Sequence, residues 1–152
     1  MLTLSHRPKF KEIPLIAKTH DIIISLLRDS EGLSEIGSAF RSEKRSRWIS
    51  CPFSTKFGIS PQDYSRIFDT LRIANNSLFQ RKNVFIHCSA GIDRTGLFAY
   101  VLLKTGGFTK EQALEILKKK REIILSRIEK HFKEAEIIEN RIGQLLSIVD
   151  KI

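Results

Sequence analysis

The run Ile22-Ile23-Ile24-Ser25-Leu26-Leu27 is short, β-branched and almost wholly apolar, the pattern of a buried strand. Val84-Phe85-Ile86-His87 has the same character and predicts a strand at the centre of a parallel sheet. Trp48-Ile49-Ser50-Cys51 predicts another, ended by Pro52. Between these runs the apolar positions switch to helical spacing. Leu33, Ile36, Gly37 and Phe40 form one such set. Ile67, Phe68, Leu71 and Ala74 form a second, on a helix opened by Ser60-Pro61-Gln62-Asp63: Ser as N-cap, Pro at the first helical position, an acid in the first turn. A helix is expected from Gly96 to Leu103, closed at Gly106-Gly107. Thr109 and Gln112 make a capping box for the next, whose core face would hold Ala113, Leu117, Ile124 and Ile128. Phe132, Ala135, Ile138, Ile142, Leu145 and Val149 supply the last apolar stripe. Three strands alternating with helices, then a helical C-terminal half, predict an α/β fold with a small parallel sheet flanked by helices. The pattern leaves a fourth strand unplaced.

No repeat, low-complexity tract or Pro/Gly/Ser-rich linker interrupts the pattern, so residues 1–152 are read as one domain. A hydrophobic content of 41% is that of an ordinary soluble globular protein. No apolar run approaches the ~20 residues that span a bilayer, so no transmembrane segment is expected. Arg7, Pro8, Lys9 and Lys11 stand where a signal peptide would be apolar. The expectation is a cytoplasmic protein, although export through a different signal would leave no trace here. Two cysteines, Cys51 and Cys88, are too few for a disulfide framework and suit a reducing compartment. The net charge of +9 favours anionic partners or is simply a solvated, Lys-rich surface. It is spread over Arg41–Arg47 and Lys118–Arg121 rather than gathered in a stripe, so nucleic acid is not the expected partner. Nothing in the pattern speaks to oligomeric state.

The candidate chemistry lies in His87-Cys88-Ser89-Ala90-Gly91-Ile92-Asp93-Arg94-Thr95-Gly96, between the central strand and a helix. Anions bind where a parallel strand feeds a helix N-terminus. Five residues separate Cys88 from Arg94, enough for the backbone amides of Ser89, Ala90, Gly91, Ile92, Asp93 and Arg94 to curl round a phosphate. Gly91 gives freedom at the tightest bend, and the planar fork of Arg94 matches two phosphate oxygens. A helix N-terminus and a guanidinium both favour the thiolate form of a cysteine, so Cys88 is the expected nucleophile. The hydroxyl of Thr95 is placed to donate to the sulfur when it leaves, and His87 to buttress the loop. His6, His20 and His131 are scattered and show no metal-ligand spacing. Cys51 is read as a core residue at a strand end, with a reversible disulfide to Cys88 as the alternative. Lys118–Arg121 is read as a solvated helix face, with a place for Arg121 near the phosphate pocket as the lesser reading.

This run resembles the signature of the protein-tyrosine phosphatase superfamily: His-Cys, five residues, Arg, then Ser or Thr. The resemblance implies a two-step mechanism through a cysteinyl-phosphate, with no metal and no cofactor. Pro52-Phe53 ahead of the cysteine and the Ser60-Pro61 helix start are similar to compact dual-specificity-type enzymes, especially bacterial ones. His6-Arg7-Pro8, Glu31 and Ile36-Gly37 are also similar to that group. Such enzymes usually keep an Asp roughly 30 residues before the cysteine to protonate the leaving oxygen. Here Phe53-Ser54-Thr55-Lys56-Phe57-Gly58 has no carboxylate. Asp63 and Asp69 follow inside a predicted helix, and Asp63 is read as a first-turn acid favoured by the helix dipole, with the acid role as its lesser reading. Asp93, where tyrosine-specific relatives commonly have Gly, resembles the loop Asp of lipid-directed members and is assigned the acid role. Bracing of Arg94 or of the loop is the alternative. The expected activity is phosphate-monoester hydrolysis on protein phosphotyrosine, extending to phosphoserine and phosphothreonine. A phosphoinositide substrate is the second reading, and a phosphate-binding pseudoenzyme the third.

Overall fold

A computed structural model describes residues 1–56 and 58–152. Among the described residues four short strands form one parallel sheet in the order β1-β4-β2-β3. They are β1 (Leu2–Ser5), β2 (Ile22–Ser25), β3 (Arg47–Ser50) and β4 (Val84–His87). β2 and β4, the two strands buried at every position, occupy the middle. The fourth strand is β1, where Leu2 and Leu4 are buried and alternate with Thr3 and Ser5. That two-residue period is the mark of an edge strand. The register aligns Ser5, His87, Ser25 and Ser50 in one row across the sheet. A polar row therefore closes the carboxyl end of the sheet.

Two helical layers cover the sheet. On one face α1 (Ile13–Thr19) and α2 (Leu33–Glu43) bury Ile13, Ala17, Ile36 and Phe40 against Ile23, Leu27 and Phe85. On the other, Ile22, Ile24, Val84 and Ile86 meet α3 (Pro61–Phe79), α4 (Asp93–Thr105), α5 (Lys110–Arg121) and α6 (Phe132–Ile142). α4 is the hub of this layer: everything from Thr95 to Leu103 is buried. Gly37 in α2 lies under Trp48 of β3, and a Cβ there would come within 2.5 Å of the indole. Glycine at that position leaves room for the Trp48 ring against the helix.

Several expected boundaries shift. α4 begins at Asp93, inside the loop motif, instead of at Gly96. Ser60 is the N-cap of α3, but its hydroxyl makes no capping bond; its carbonyl takes the Asp63 amide instead. Thr109 and Gln112 do cap α5 reciprocally, at 3.2 and 2.9 Å. The core face Ala113–Ile128 is buried as expected but does not lie on one helix. α5 stops at Arg121, and short 3-10 turns at Glu122–Ser126 and Ile128–His131 lead into α6. The final stripe also breaks: α6 ends at Ile142, and Ile148 is buried in the tail while Val149 is exposed. Gly143, at a positive φ of 76°, turns the chain there.

Candidate active site

The loop between β4 and α4 sits at the polar end of the sheet. Cys88 follows β4 directly and is 2% exposed, at the floor of a pocket of about 190 Å³. Its sulfur accepts two hydrogen bonds, from the Thr95 hydroxyl at 3.0 Å and from the Gly91 amide at 3.2 Å. Gly91 has a φ of +73°, and a Cβ there would sit 2.4 Å from the Ser5 carbonyl oxygen. No other residue satisfies both demands. α4 starts with Ile92 as N-cap, which offers no side-chain acceptor, so the first-turn amides are left for an anion.

Arg94 is fixed before any ligand arrives. Its Nη1 and Nη2 donate to Glu31 Oε1 and Oε2 at 2.6 and 2.7 Å, and Nη1 also donates to the Leu26 carbonyl at 3.0 Å. Arg94 holds the Glu31 carboxyl at about 2, well below the usual carboxylate range, outweighing the upward push of burial. Glu31 is bound in turn to the Arg28 amide, and the Arg7 guanidinium donates to the Glu31 carbonyl at 2.7 Å.

His87 is fully buried, and burial pushes its pKa down to about 4, so it is neutral. Nδ1 lies 3.2 Å from the Cys88 carbonyl, which can only accept, so the proton is on Nδ1. Nε2 then accepts from the Ser25 hydroxyl at 2.6 Å, and Ser25 Oγ accepts from the Trp48 indole N–H at 2.9 Å. This chain spans three neighbouring strands and ends on the carbonyl beside the thiol.

Asp93 lines the pocket with Cys88, Ser89, Ala90 and Arg94, and it is the one carboxylate to do so among the described residues. It accepts from Arg127 Nε at 2.9 and 3.1 Å and from His131 Nε2 at 2.8 Å. Burial pushes its carboxyl up, but those hydrogen bonds outweigh burial and hold Asp93 below the usual carboxylate range. Asp63 and Asp69 lie on α3 and do not line the pocket. Of the upstream stretch, Ser54, Thr55 and Lys56 do line it, and Phe57 lies outside the described residues. Gly91 and Ile92 do not line the pocket, and the Gly91 amide donates to the sulfur. Cys51, after β3, is a buried free thiol that burial pushes up to about 11. Among the described residues no group of three or more His, Cys, Asp or Glu could hold a metal ion.

Arg121 corrects the expectation of a solvated face. Lys118 and Lys119 are exposed, but Arg121 turns inward and bonds the loop carbonyls of Gly91 and Ala90. Ser25, Trp48, Arg127 and His131 also belong to the site and carry no local signal in the sequence, because each bonds a partner at least 23 positions away.

A sequence model of the dual specificity phosphatase catalytic domain matches residues 32–136. The chain belongs to that family. Its fold is accordingly the phosphatase fold, and its domain type is that of a dual-specificity phosphatase catalytic domain. No curated protein matches the chain. Among solved structures it is similar to Tk-PTP in its active form, at 20% identity and a TM-score of 0.66, covering 93% of this chain and 90% of that one. PTPMT1 in complex with PI(5)P aligns at 15% identity and a TM-score of 0.67, over 94% and 95%. TpbA of P. aeruginosa aligns at 18% and 0.62, over 93% and 84%. At such identities these likenesses speak to the fold. No helix among the described residues of this dual-specificity-type domain is long and apolar enough to cross a membrane.

Proposed function

We propose that the protein hydrolyses phosphate monoesters by covalent catalysis at Cys88, with protein phosphotyrosine as its principal substrate and phosphoserine and phosphothreonine as further ones. The observation that carries this reading is the sulfur of Cys88, held by Thr95 and Gly91 at the floor of a pocket walled by Arg94. In the first step the Cys88 thiolate attacks phosphorus, the S–P bond forms and the ester P–O bond breaks, and the departing oxygen takes a proton. In the second, water attacks phosphorus, the S–P bond breaks, and inorganic phosphate leaves with the thiolate restored. Arg94 and the loop amides would bind the equatorial oxygens throughout. Thr95 would support the sulfur when it leaves.

Asp93 is assigned the proton transfers. With its carboxyl below the usual range it is ionised at neutral pH, which suits it to take a proton from the attacking water. Donating a proton to the leaving group is then favoured toward acidic pH. Aryl esters such as phosphotyrosine, whose leaving groups need little protonation, suit this site better at neutral pH than alkyl esters do.

A phosphoinositide is the second reading, supported by the three cations Arg28, Lys56 and Arg94 on the pocket wall. PTPMT1, similar in fold, was solved in complex with PI(5)P. A panel of phosphopeptides and phosphoinositides separates the two. Cys88→Ser tests the shared chemistry: turnover should vanish while inorganic phosphate still binds, because the hydroxyl is a far weaker acid but the amide cradle stays. Vanadate should inhibit the wild type and a chelator should not. Substantial turnover by the Ser variant, or loss of activity with chelator, would refute the cysteine mechanism.

A further inference from the structure

We propose that Arg121 is a positioning residue for the phosphate loop, pinning the carbonyls of Ala90 and Gly91 outward so that the amides of Gly91 and Ile92 face the reacting sulfur and phosphate. The inference rests on the reading of Cys88 as the nucleophile. Its basis is the plane of the peptide bond: in a trans peptide the C=O of one residue and the N–H of the next point in opposite directions. Whatever holds a loop carbonyl outward therefore aims the following amide inward.

Three consecutive carbonyls of this loop are held in that way. The Arg7 amide donates to the Ser89 carbonyl at 2.9 Å. Arg121 Nη2 donates to the Ala90 carbonyl at 2.9 Å, and Arg121 Nε to the Gly91 carbonyl at 2.9 Å. The amide paired with the Ala90 carbonyl is that of Gly91, the one that donates to Cys88 Sγ. One guanidinium thus straddles two consecutive peptides, the first of which donates to the sulfur, and as a charged donor it also polarises them, making their N–H groups better donors.

The backbone is built to deliver this side chain. α5 ends at Arg121, whose φ of −162° and ψ of 88° break the helix before the next 3-10 turn begins. The preceding turn of α5 projects Lys118 and Lys119 to solvent, while Arg121 is half-buried against the loop. A lysine could reach one of the two carbonyls but could not bridge both with fixed geometry.

The test compares wild type with R121M, R121K and the exposed-charge control K118M. Three quantities are read: binding of inorganic phosphate by calorimetry, the thiolate's ultraviolet absorbance at neutral pH, and kcat and KM on an aryl phosphate. The charged groups facing Cys88 across the pocket, Arg28, Lys56, Asp93 and Arg94, are the same in all four proteins. R121M should weaken phosphate binding on the order of tenfold, the worth of a charge-assisted hydrogen bond, and lower both the thiolate signal and kcat. R121K should recover part of each, and K118M should match wild type. A purely structural Arg121 would reduce the folded fraction, lowering apparent kcat with KM, phosphate affinity and thiolate signal per folded molecule unchanged, and that pattern overturns the proposal. If R121M does not fold, R121K decides: an intermediate phosphate affinity supports the proposal, and wild-type values in all three readouts overturn it. A wild type without Cys88-dependent turnover would instead fell the nucleophile assignment itself.

Discussion

Replacing Glu31 by Gln keeps the side chain's shape and one acceptor oxygen but removes the charge that grips Arg94 in two places. The carboxyl drops from its ordinary 4.5 to about 2 in the fold, chiefly through the Arg94 hydrogen bonds. A drop of that size corresponds to roughly 3 kcal/mol of folding free energy. The side chains of Arg94 and Glu31 are 12% and 18% exposed, so some solvent reaches the pair and the figure is an upper one. E31Q should therefore be less stable than wild type by about 2–3 kcal/mol at pH 7, measured by urea denaturation. The sign in acid follows from a lowered pKa: the contribution is complete above the ordinary value and is lost as pH falls from 4.5 through about 2. The stability difference between wild type and E31Q should shrink across that window and vanish below it. Turnover should fall as well, because Arg94 would lose one of the three contacts that hold its fork in place and the charge behind a second. Equal urea midpoints at pH 7, or a difference that persists unchanged to pH 2, would refute the reasoning.

Arg94→Lys should weaken phosphate on the order of 10–100-fold and cut kcat with it, since an ammonium cannot reproduce the bidentate fork; a near-normal rate would mean that the loop does not close on phosphate as proposed. Asp93→Asn should cost about 10²–10⁴ in rate on alkyl phosphates and much less on aryl phosphates with acidic leaving groups. Because the Asp93 carboxyl lies below its ordinary value, wild-type turnover of alkyl esters should climb as pH falls, and the Asn variant should lose that slope. Asp63→Asn should keep the rate and cost about 0.3–1 kcal/mol of stability as a lost first-turn charge; a leaving-group-dependent loss there would move the acid to that upstream helix.

Much of the layout was legible because it is local. Three strands, the α5 cap and the loop between β4 and α4 each announce themselves within ten residues or fewer. β1 was also within reach, since Leu2 and Leu4 alternate with Thr3 and Ser5, but four residues offer too little periodicity to separate a strand from a tail. The single helix read through Ala113 to Ile128 failed for another reason. Its apolar spacing survives a change from α to 3-10 geometry, and only tertiary contact, Arg121 turning into the loop, shows why the α-helix stops. Glu31 stands out along the chain only through an outlying likeness. Its pairing with Arg94 joins positions 63 apart, and no pattern along the chain encodes that distance.

The site also changes what the charge of +9 means. Three of the arginines that a composition count assigns to anionic partners are already engaged inside the molecule: Arg94 by Glu31, Arg127 by Asp93, and Arg121 by two backbone carbonyls. Only Arg94 among them lines the pocket. The other two act on the shape of the loop and on the ionisation of the carboxylate beside it. A basic composition here serves preorganisation as much as attraction, because an amide cradle bends into a ring only if its carbonyls are held outside that ring. The backbone amide of Arg7 and the side chain of Arg121 hold three of those carbonyls, the first from the segment after β1 and the second from the end of α5. β1 at the sheet edge beside β4 is what brings the first of them to the loop, so the least visible strand in the sequence has a direct part in shaping the phosphate site.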